Sequence, residues 1–323
     1  MYEQIAANKR RAVIYIGVFI LVWAGVGAAL GALIGSFSRS STTDELGNTV
    51  ATGPSQASAG LVAGVVIAVL LAVAGTTFTL QSGHKLVLAV SGAKPADPTQ
   101  YLQLHNIVET LAIGDGLPKP EVYVIDDPSP NAFATGVSPQ RAAITATTGL
   151  LQTMDREELE GVIGHEMSHI KNYDVRLILI VSTLIGMAGL VASLIWRVGF
   201  NVRSRGRNGA QVVVVLIAAG VLLSIVAFIV GPLIKLALSR RRESLADASG
   251  VELTRNPAGL IRALQKLQAN DQPFAKFNHA TAAMCIDDPL QHHASFVHHL
   301  FDTHPPIAER IAALQRIANV QEL

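Results

Sequence analysis

Four long stretches of this chain carry almost no polar side chain: Ala12 to Ile34, Gly60 to Leu80, Leu177 to Trp196 and Gln211 to Leu238. Each supplies the roughly 20 residues that a helix needs to cross a bilayer core. Lys235 is the single formal charge within them, near an end from which it can reach the interface. Hydrocarbon offers the backbone no hydrogen-bond partner, so each stretch must bond within itself, and four transmembrane helices are predicted. Lys9, Arg10 and Arg11 precede the first stretch as they would in an export signal. That stretch is too long for a signal core and a second span follows, so it is read as an anchor.

The polar segments between these stretches have their own periods. Ser36 to Ala59, rich in Ser, Thr and Gly with Pro54, has neither helical nor strand periodicity and reads as a flexible external loop. Pro98 to Gly114 predicts an amphipathic helix, with Leu102, His105, Val108, Leu111 and Ala112 on one face. Three short strands follow, Glu121 to Ile125, Ala132 to Gly136 and Ala142 to Thr147, set apart by Asp127-Pro128-Ser129-Pro130 and Ser138-Pro139. A helix begins at Asp155, whose carboxylate can cap it while Glu158 completes a capping box, and runs through Ile170. Ser239 to Leu253, Pro257 to Ala269 and Ile307 to Ala318 read as three more helices.

The expected fold is an α-rich multi-pass membrane protein with four transmembrane helices and a catalytic unit carrying a small β-sheet. Its segments are 1–35, the N-terminus and first span; 36–59, the external loop; and 60–80, the second span. Then come 81–176, a first catalytic segment; 177–238, a transmembrane hairpin; and 239–323, a second catalytic segment.

Composition agrees with membrane residence. Of the 323 residues, 50% are hydrophobic and only 15% charged, which argues against an ordinary soluble domain. A net charge of +1 gives no reason to expect a nucleic-acid partner. The single cysteine, Cys285, excludes an internal disulfide and any cysteine-based metal cluster, and a structural role is its default.

The chemistry is concentrated in Gly164-His165-Glu166-Met167-Ser168-His169. On a helix a spacing of four puts both imidazoles on one face, where they can share a tetrahedral metal. Glu166 projects about 100° away, where it can reach a water rather than the metal. HExxH alone arises by chance too often to decide a function. A catalytic zinc also needs a third protein ligand and an open position, and Ser239 to Asp247 offers Glu243. Asp247 lies on the same helical face, where it can accept an N–H from a ligating histidine and fix its tautomer. Read alone, Arg240 to Arg242 mark a membrane boundary with Glu243 as their counter-ion. Read with the HEMSH helix, the hairpin 177–238 returns the chain to the same side of the membrane and brings His165, His169 and Glu243 together.

These residues resemble the HtpX-type membrane zinc metalloproteases, relatives of the CAAX prenyl proteases. The likeness runs from about Asn131 to the C-terminus. It rests on Asn131-Ala132-Phe133-Ala134-Thr135-Gly136, Thr148-Gly149-Leu150-Leu151, the HEMSH helix, Ser239 to Asp247, and Thr303-His304-Pro305-Pro306 followed by Arg310-Ile311. The resemblance implies a zincin-like site with one zinc per chain. It also implies peptide hydrolysis on the cytoplasmic side of the bacterial plasma membrane, acting on damaged or surplus membrane proteins. His304 is the family's candidate for stabilising the oxyanion, and the other reading is a structural histidine beside a turn. Asn131, Ala132 and Phe133 lie on the candidate edge strand against which substrate would add; the other reading is an ordinary hairpin strand with Asn131 serving its turn. His292, His293, His298 and His299 read as polar surface.

Arg197, Arg203, Arg205 and Arg207 fall on the far side in this topology, but Lys9 to Arg11, Lys171, Arg176 and Arg240 to Arg242 outnumber them and hold the catalytic side inside. Two alternatives stay open: narrow processing of one substrate, as in prenyl-protein maturation, and a non-enzymatic metal-binding scaffold. The presence of Glu166 argues against the scaffold, because binding a metal requires the ligands but not the base. The expected partners are polypeptide substrates and the lipid bilayer; nothing in the sequence sets the oligomeric state.

Overall fold

The first three apolar runs form helices longer than the runs themselves. The computed structural model describes residues 2–37, 41–43, 49–51, 56–201, 213–214, 216–221, 223–224, 240–269, 285–286 and 305–321. Helix α1 covers Tyr2–Phe37 and α2 covers Ala57–Val90. At 36 and 34 residues they are each roughly 50 Å long, well beyond the hydrocarbon core. Ala, Gln, Lys and Arg around the first span are good helix formers, so nothing stops α1 where the hydrophobicity ends. Among the described residues three helices are long and apolar enough to cross a membrane: Ile5–Gly35, Ala57–Val90 and Asp174–Arg197. The predicted fourth span, Gln211 to Leu238, lies largely outside the described residues.

Within Ser36 to Ala59 the described residues include two short strands. Strands β1 (Ser41–Thr43) and β2 (Thr49–Ala51) pair antiparallel within it, and α2 begins at its end. Two three-residue strands are too short to show a period of two, so the hairpin is invisible to a periodicity reading.

The chain divides into two units, Met1–Ala12 with Leu80–Ser182 and Pro232–Leu323, and Val13–Thr79 with Thr183–Gly231. Within the second unit α1 and α2 meet along a seam of glycines. A Cβ on Gly31 would lie 2.1 Å from the Gly60 carbonyl oxygen, and one on Gly64 would lie 2.1 Å from that of Gly27. Small residues four apart let two membrane helices touch backbone to backbone. Leu21, Leu70 and Leu71 on the same helices are exposed, as lipid-facing side chains are. Gly31→Val should force this seam open, costing at least about 1–3 kcal/mol. A detergent-solubilised variant with unchanged thermal stability would refute the tight seam.

The first unit holds the remaining elements. They are β3 (Lys94–Pro95), α3 (Leu102–Gly114), β4 (Glu121–Ile125), β5 (Ala132–Ser138), β6 (Arg141–Thr147), α4 (Thr148–Thr153) and α5 (Arg156–Lys171), then α6 (Asp174–Asn201), which runs on into the other unit. From residue 240 onward come α7 (Arg240–Thr254), α8 (Pro257–Gln268) and α9 (Ile307–Gln321). The sheet order is β3-β4-β6-β5, with β4 parallel to β6 and the outer pairs antiparallel. Leu104, Ile107 and Val108 of α3, Val122 and Ile144 of the sheet, Val162, Ile163 and Met167 of α5 and Leu260 and Leu264 of α8 form one buried core. That core fixes α5 from several sides. The α5 N-terminus carries the predicted capping box: Asp155 Oδ1 accepts from Glu158 N at 2.9 Å, and Asp155 N donates to Glu158 Oε2 at 2.8 Å.

Candidate metal centre

Helix α5 brings His165, Glu166 and His169 into the interior, and all three are buried. Helix α7 approaches α5 so closely that a Cβ on Gly250 would stand 2.9 Å from the His165 backbone nitrogen. Glycine at that point lets Asp247 and Glu243, one and two turns away on α7, reach the two imidazoles. One ligand atom from each of His165, His169 and Glu243 lies within 4.8 Å of the others. The histidine Nε2 atoms are 3.2 Å apart, with the rings at 88°. Glu243 Oε2 stands 3.6 Å from His165 Nε2, and Oε1 stands 3.6 Å from His169 Nε2.

The spacing suits a shared ion. Two nitrogen donors on a tetrahedral zinc at ordinary bond lengths sit about 3.3 Å apart. The far ring nitrogens are also committed. His165 Nδ1 lies 2.8 Å from Asp247 Oδ1, and His169 Nδ1 lies 3.3 Å from Asp174 Oδ2. A carboxylate on each Nδ1 places the proton there and leaves each Nε2 lone pair for the cluster. Two imidazoles and one carboxylate with oriented rings make a donor set that fits zinc.

The electrostatics follow from burial and pairing. Burial and the nearby Arg310 guanidinium push the His165 imidazole down, but Asp247 and Glu243 outweigh them and raise it to about 9. His169 is also raised; burial lowers it, and Glu243 and Asp174 more than offset that. Glu166 is raised chiefly by burial, with Glu243 adding to it and the two histidines and an N–H from Ala134 opposing. Asp247 is held well below the usual carboxylate range, because Arg310 and His165 outweigh the cost of burial.

Arg310, on α9, is the residue to which the sequence reading assigns no role. It is buried and donates from Nε to Asp247 Oδ2 at 2.9 Å and from Nη2 to Asp247 Oδ1 at 2.7 Å. This two-pronged clamp fixes the carboxylate that fixes His165. The only sequence signal was the arginine's place in the THPP-to-Arg310 stretch. Asp174 was missed as well, and a lone carboxylate at the head of an apolar run is the clue to it.

The residues expected on the edge strand lie on or next to β5. Strand β5 is at the margin of the sheet, and Ala134 ties it to Glu166. Asn131, Ala132 and Phe133 are nevertheless buried. Asn131 Oδ1 accepts from Ala132 N at 2.9 Å, and Asn131 N donates to Thr147 Oγ1 at 2.9 Å. Outside Ala132 the chain's own Ile286 N donates to the Ala132 carbonyl at 3.0 Å, and Phe133 bridges antiparallel to Cys285. Cys285 is thus a buried strand partner. His304, with His292, His293, His298 and His299, lies outside the described residues.

A model of peptidase family M48 matches residues 98–318. The chain belongs to peptidase family M48. A protease HtpX homologue of Streptococcus mutans is 41% identical over 323 residues, covering 98% of this chain and 100% of its own. One from Caldanaerobacter subterraneus subsp. tengcongensis is 46% identical over 242 residues, covering 73% and 79%. The crystal structure of S. mikatae Ste24p matches with a TM-score of 0.47 at 20% identity, over 77% of this chain and 57% of that one. Family membership and apolar helices together make this M48 peptidase a membrane metalloprotease.

Proposed function

We propose that the chain is a zinc endopeptidase in which His165, His169 and Glu243 hold the metal and Glu166 is the general base. The observation that carries this reading is the convergence of three buried ligand atoms, from helices far apart in sequence, with a fourth buried side chain, the Glu166 carboxyl, on the same helix as the two histidines. Zinc held there supplies Lewis acidity toward a peptide carbonyl and acidifies water. The protein's own part is positional. Glu166 takes the proton of the attacking water and returns it to the leaving amine. Asp247 and Asp174 hold the two imidazoles in the tautomer that faces the metal. His304 is assigned to the developing oxyanion.

Substrate is proposed to add as a strand along β5, with Ala132 and Phe133 in register with it and Asn131 setting the turn that aims the strand. Because Ile286 already occupies the Ala132 carbonyl, an incoming strand docks beyond that point or displaces the segment. The fuller architecture is four spans carrying a zincin-like unit, in the bacterial plasma membrane with the site facing the cytoplasm. The proposed substrates are damaged or surplus membrane proteins, as the resemblance to the HtpX-type family implies.

Two measurements test this. Purified protein in detergent should bind one zinc per chain and cleave unrelated unfolded membrane proteins at many positions. Cleavage confined to one sequence would instead favour a processing enzyme, and none at full zinc loading would favour a scaffold. Reporter fusions within residues 81–176 and 240–323 should both report the cytoplasm, with the opposite signal from 36–59. Opposite signals from the two catalytic segments would end the shared-metal reading.

A further inference from the structure

Asn8 lies near the start of α1, before the first apolar run, yet it is 1% exposed. Its Nδ2 donates to the Asn172 carbonyl at 2.8 Å and to Asp174 Oδ1 at 2.8 Å. These partners stand 164 and 166 residues away, at the junction where α5 ends and α6 begins. The junction is a demanding piece of backbone, because Tyr173 holds φ 61 without being glycine. Lys9, the next residue, stands 4.4 Å over the Tyr173 ring. The N-terminal segment therefore grips the turn that follows the metal helix through two neighbouring side chains.

Asp174 makes that grip more than an anchor. Its Oδ2 takes the His169 Nδ1 contact at 3.3 Å, while its Oδ1 takes Asn8 at 2.8 Å and faces Arg242 Nη1 at 3.5 Å. A carboxylate can rotate about its Cβ–Cγ bond, and only a fixed Oδ1 keeps Oδ2 on the imidazole. Arg242 is at ion-pair distance and non-directional, whereas the Asn8 amide is a short, buried hydrogen bond with defined geometry.

We infer that Asn8 is a positioning residue for His169, acting through Asp174 to hold the ring with Nε2 turned toward His165 and Glu243. The inference rests on His169 being a metal ligand. It assigns the N-terminal segment a part in the reaction site that neither spacing nor motif marks. The companion carboxylate on the other ring, Asp247, is held in the same manner by Arg310, so each imidazole has a carboxylate and each carboxylate a clamp from a distant helix.

The test uses the full-length chain in detergent, stripped of metal and reloaded with cobalt(II), whose visible absorption reports ligand geometry. Asn8→Ala should shift that absorption and weaken zinc affinity by about 10 to 100-fold at limiting metal. Its kcat should fall while KM stays near that of the parent. Asp174→Ala should show the same signature, and the double variant should lose little more than Asp174→Ala alone, since both act along one path. Lys9→Ala, which loosens the same segment without touching Asp174, should leave the cobalt spectrum unchanged. Asn8→Ser serves as the milder change if Asn8→Ala folds poorly. A parental spectrum and zinc affinity in both Asn8 variants would reduce Asn8 to an anchor of the N-terminal helix, as would a Lys9→Ala spectrum shifted like that of Asn8→Ala. Failure of the underlying reading looks different: His169→Ala would then keep its metal.

Discussion

Glu166→Gln should hold as much zinc as the parent chain and hydrolyse peptide bonds about 10²–10⁴ times more slowly. The amide has the size and shape of the carboxylate and keeps an oxygen to accept the Ala134 N–H, so the helix and the strand beside it have no cause to move. What it loses is the capacity to accept a proton. Because Glu166 contributes no ligand atom to the His165, His169 and Glu243 cluster, metal occupancy is not expected to follow activity down. Burial, which raises this carboxyl, also suits it to giving the proton back to the leaving amine, so both halves of the reaction are lost together. Metal analysis alongside single-turnover cleavage separates the two quantities. Parental turnover in Glu166→Gln would remove the base from the mechanism.

Glu243→Ala should behave in the opposite way, losing metal first and activity as a consequence. At limiting zinc, two imidazoles alone are a poor site for an ion that prefers three protein ligands and an open position. Asp247→Ala, which touches the ring of His165 rather than the cluster itself, should cost about 10 to 100-fold in affinity or activity and not abolish either. Metal uptake should also weaken as pH falls. In the metal-free protein the His165 imidazole is raised to about 9, so at neutral pH it must give up a proton before Nε2 can bind. Isothermal titration at pH 6 and pH 8 reads this directly through proton release in buffers of different ionisation heat. Full zinc at limiting concentration in Glu243→Ala, together with loss of zinc in Glu166→Gln, would exchange the roles assigned to the two glutamates.

Local signals in the sequence were enough for the parts that local physics decides. The capping box at Asp155 and Glu158 placed the start of the metal helix, and short runs set apart by turn residues placed three of the four strands of the sheet, leaving out the two-residue β3. Spacing of four along a helix was enough to put His165 beside His169 and Glu243 beside Asp247. Helix length was less legible, because the end of hydrophobicity marks the edge of a membrane and not the end of a helix; Tyr2 to Arg11 continues α1 on propensity and on the contacts of Asn8 and Lys9. Least legible were Asn8, Asp174 and Arg310. Each acts through a partner far away in sequence, and no period or local motif encodes a hydrogen bond from residue 8 to residue 174 or from residue 310 to residue 247.

The separation of these pieces along the chain also fixes when the protein can become active. Synthesis proceeds from the N-terminus, so the HEMSH helix is made before either of the α7 carboxylates that face it. A nascent chain shorter than residue 243 cannot assemble the His165, His169 and Glu243 group, and one shorter than residue 310 leaves Asp247 unclamped. If those three residues hold the metal as proposed, prematurely terminated fragments should show no peptidase activity. On the proposed site, the order of translation thus delays the reaction until α7 and α9 have been made.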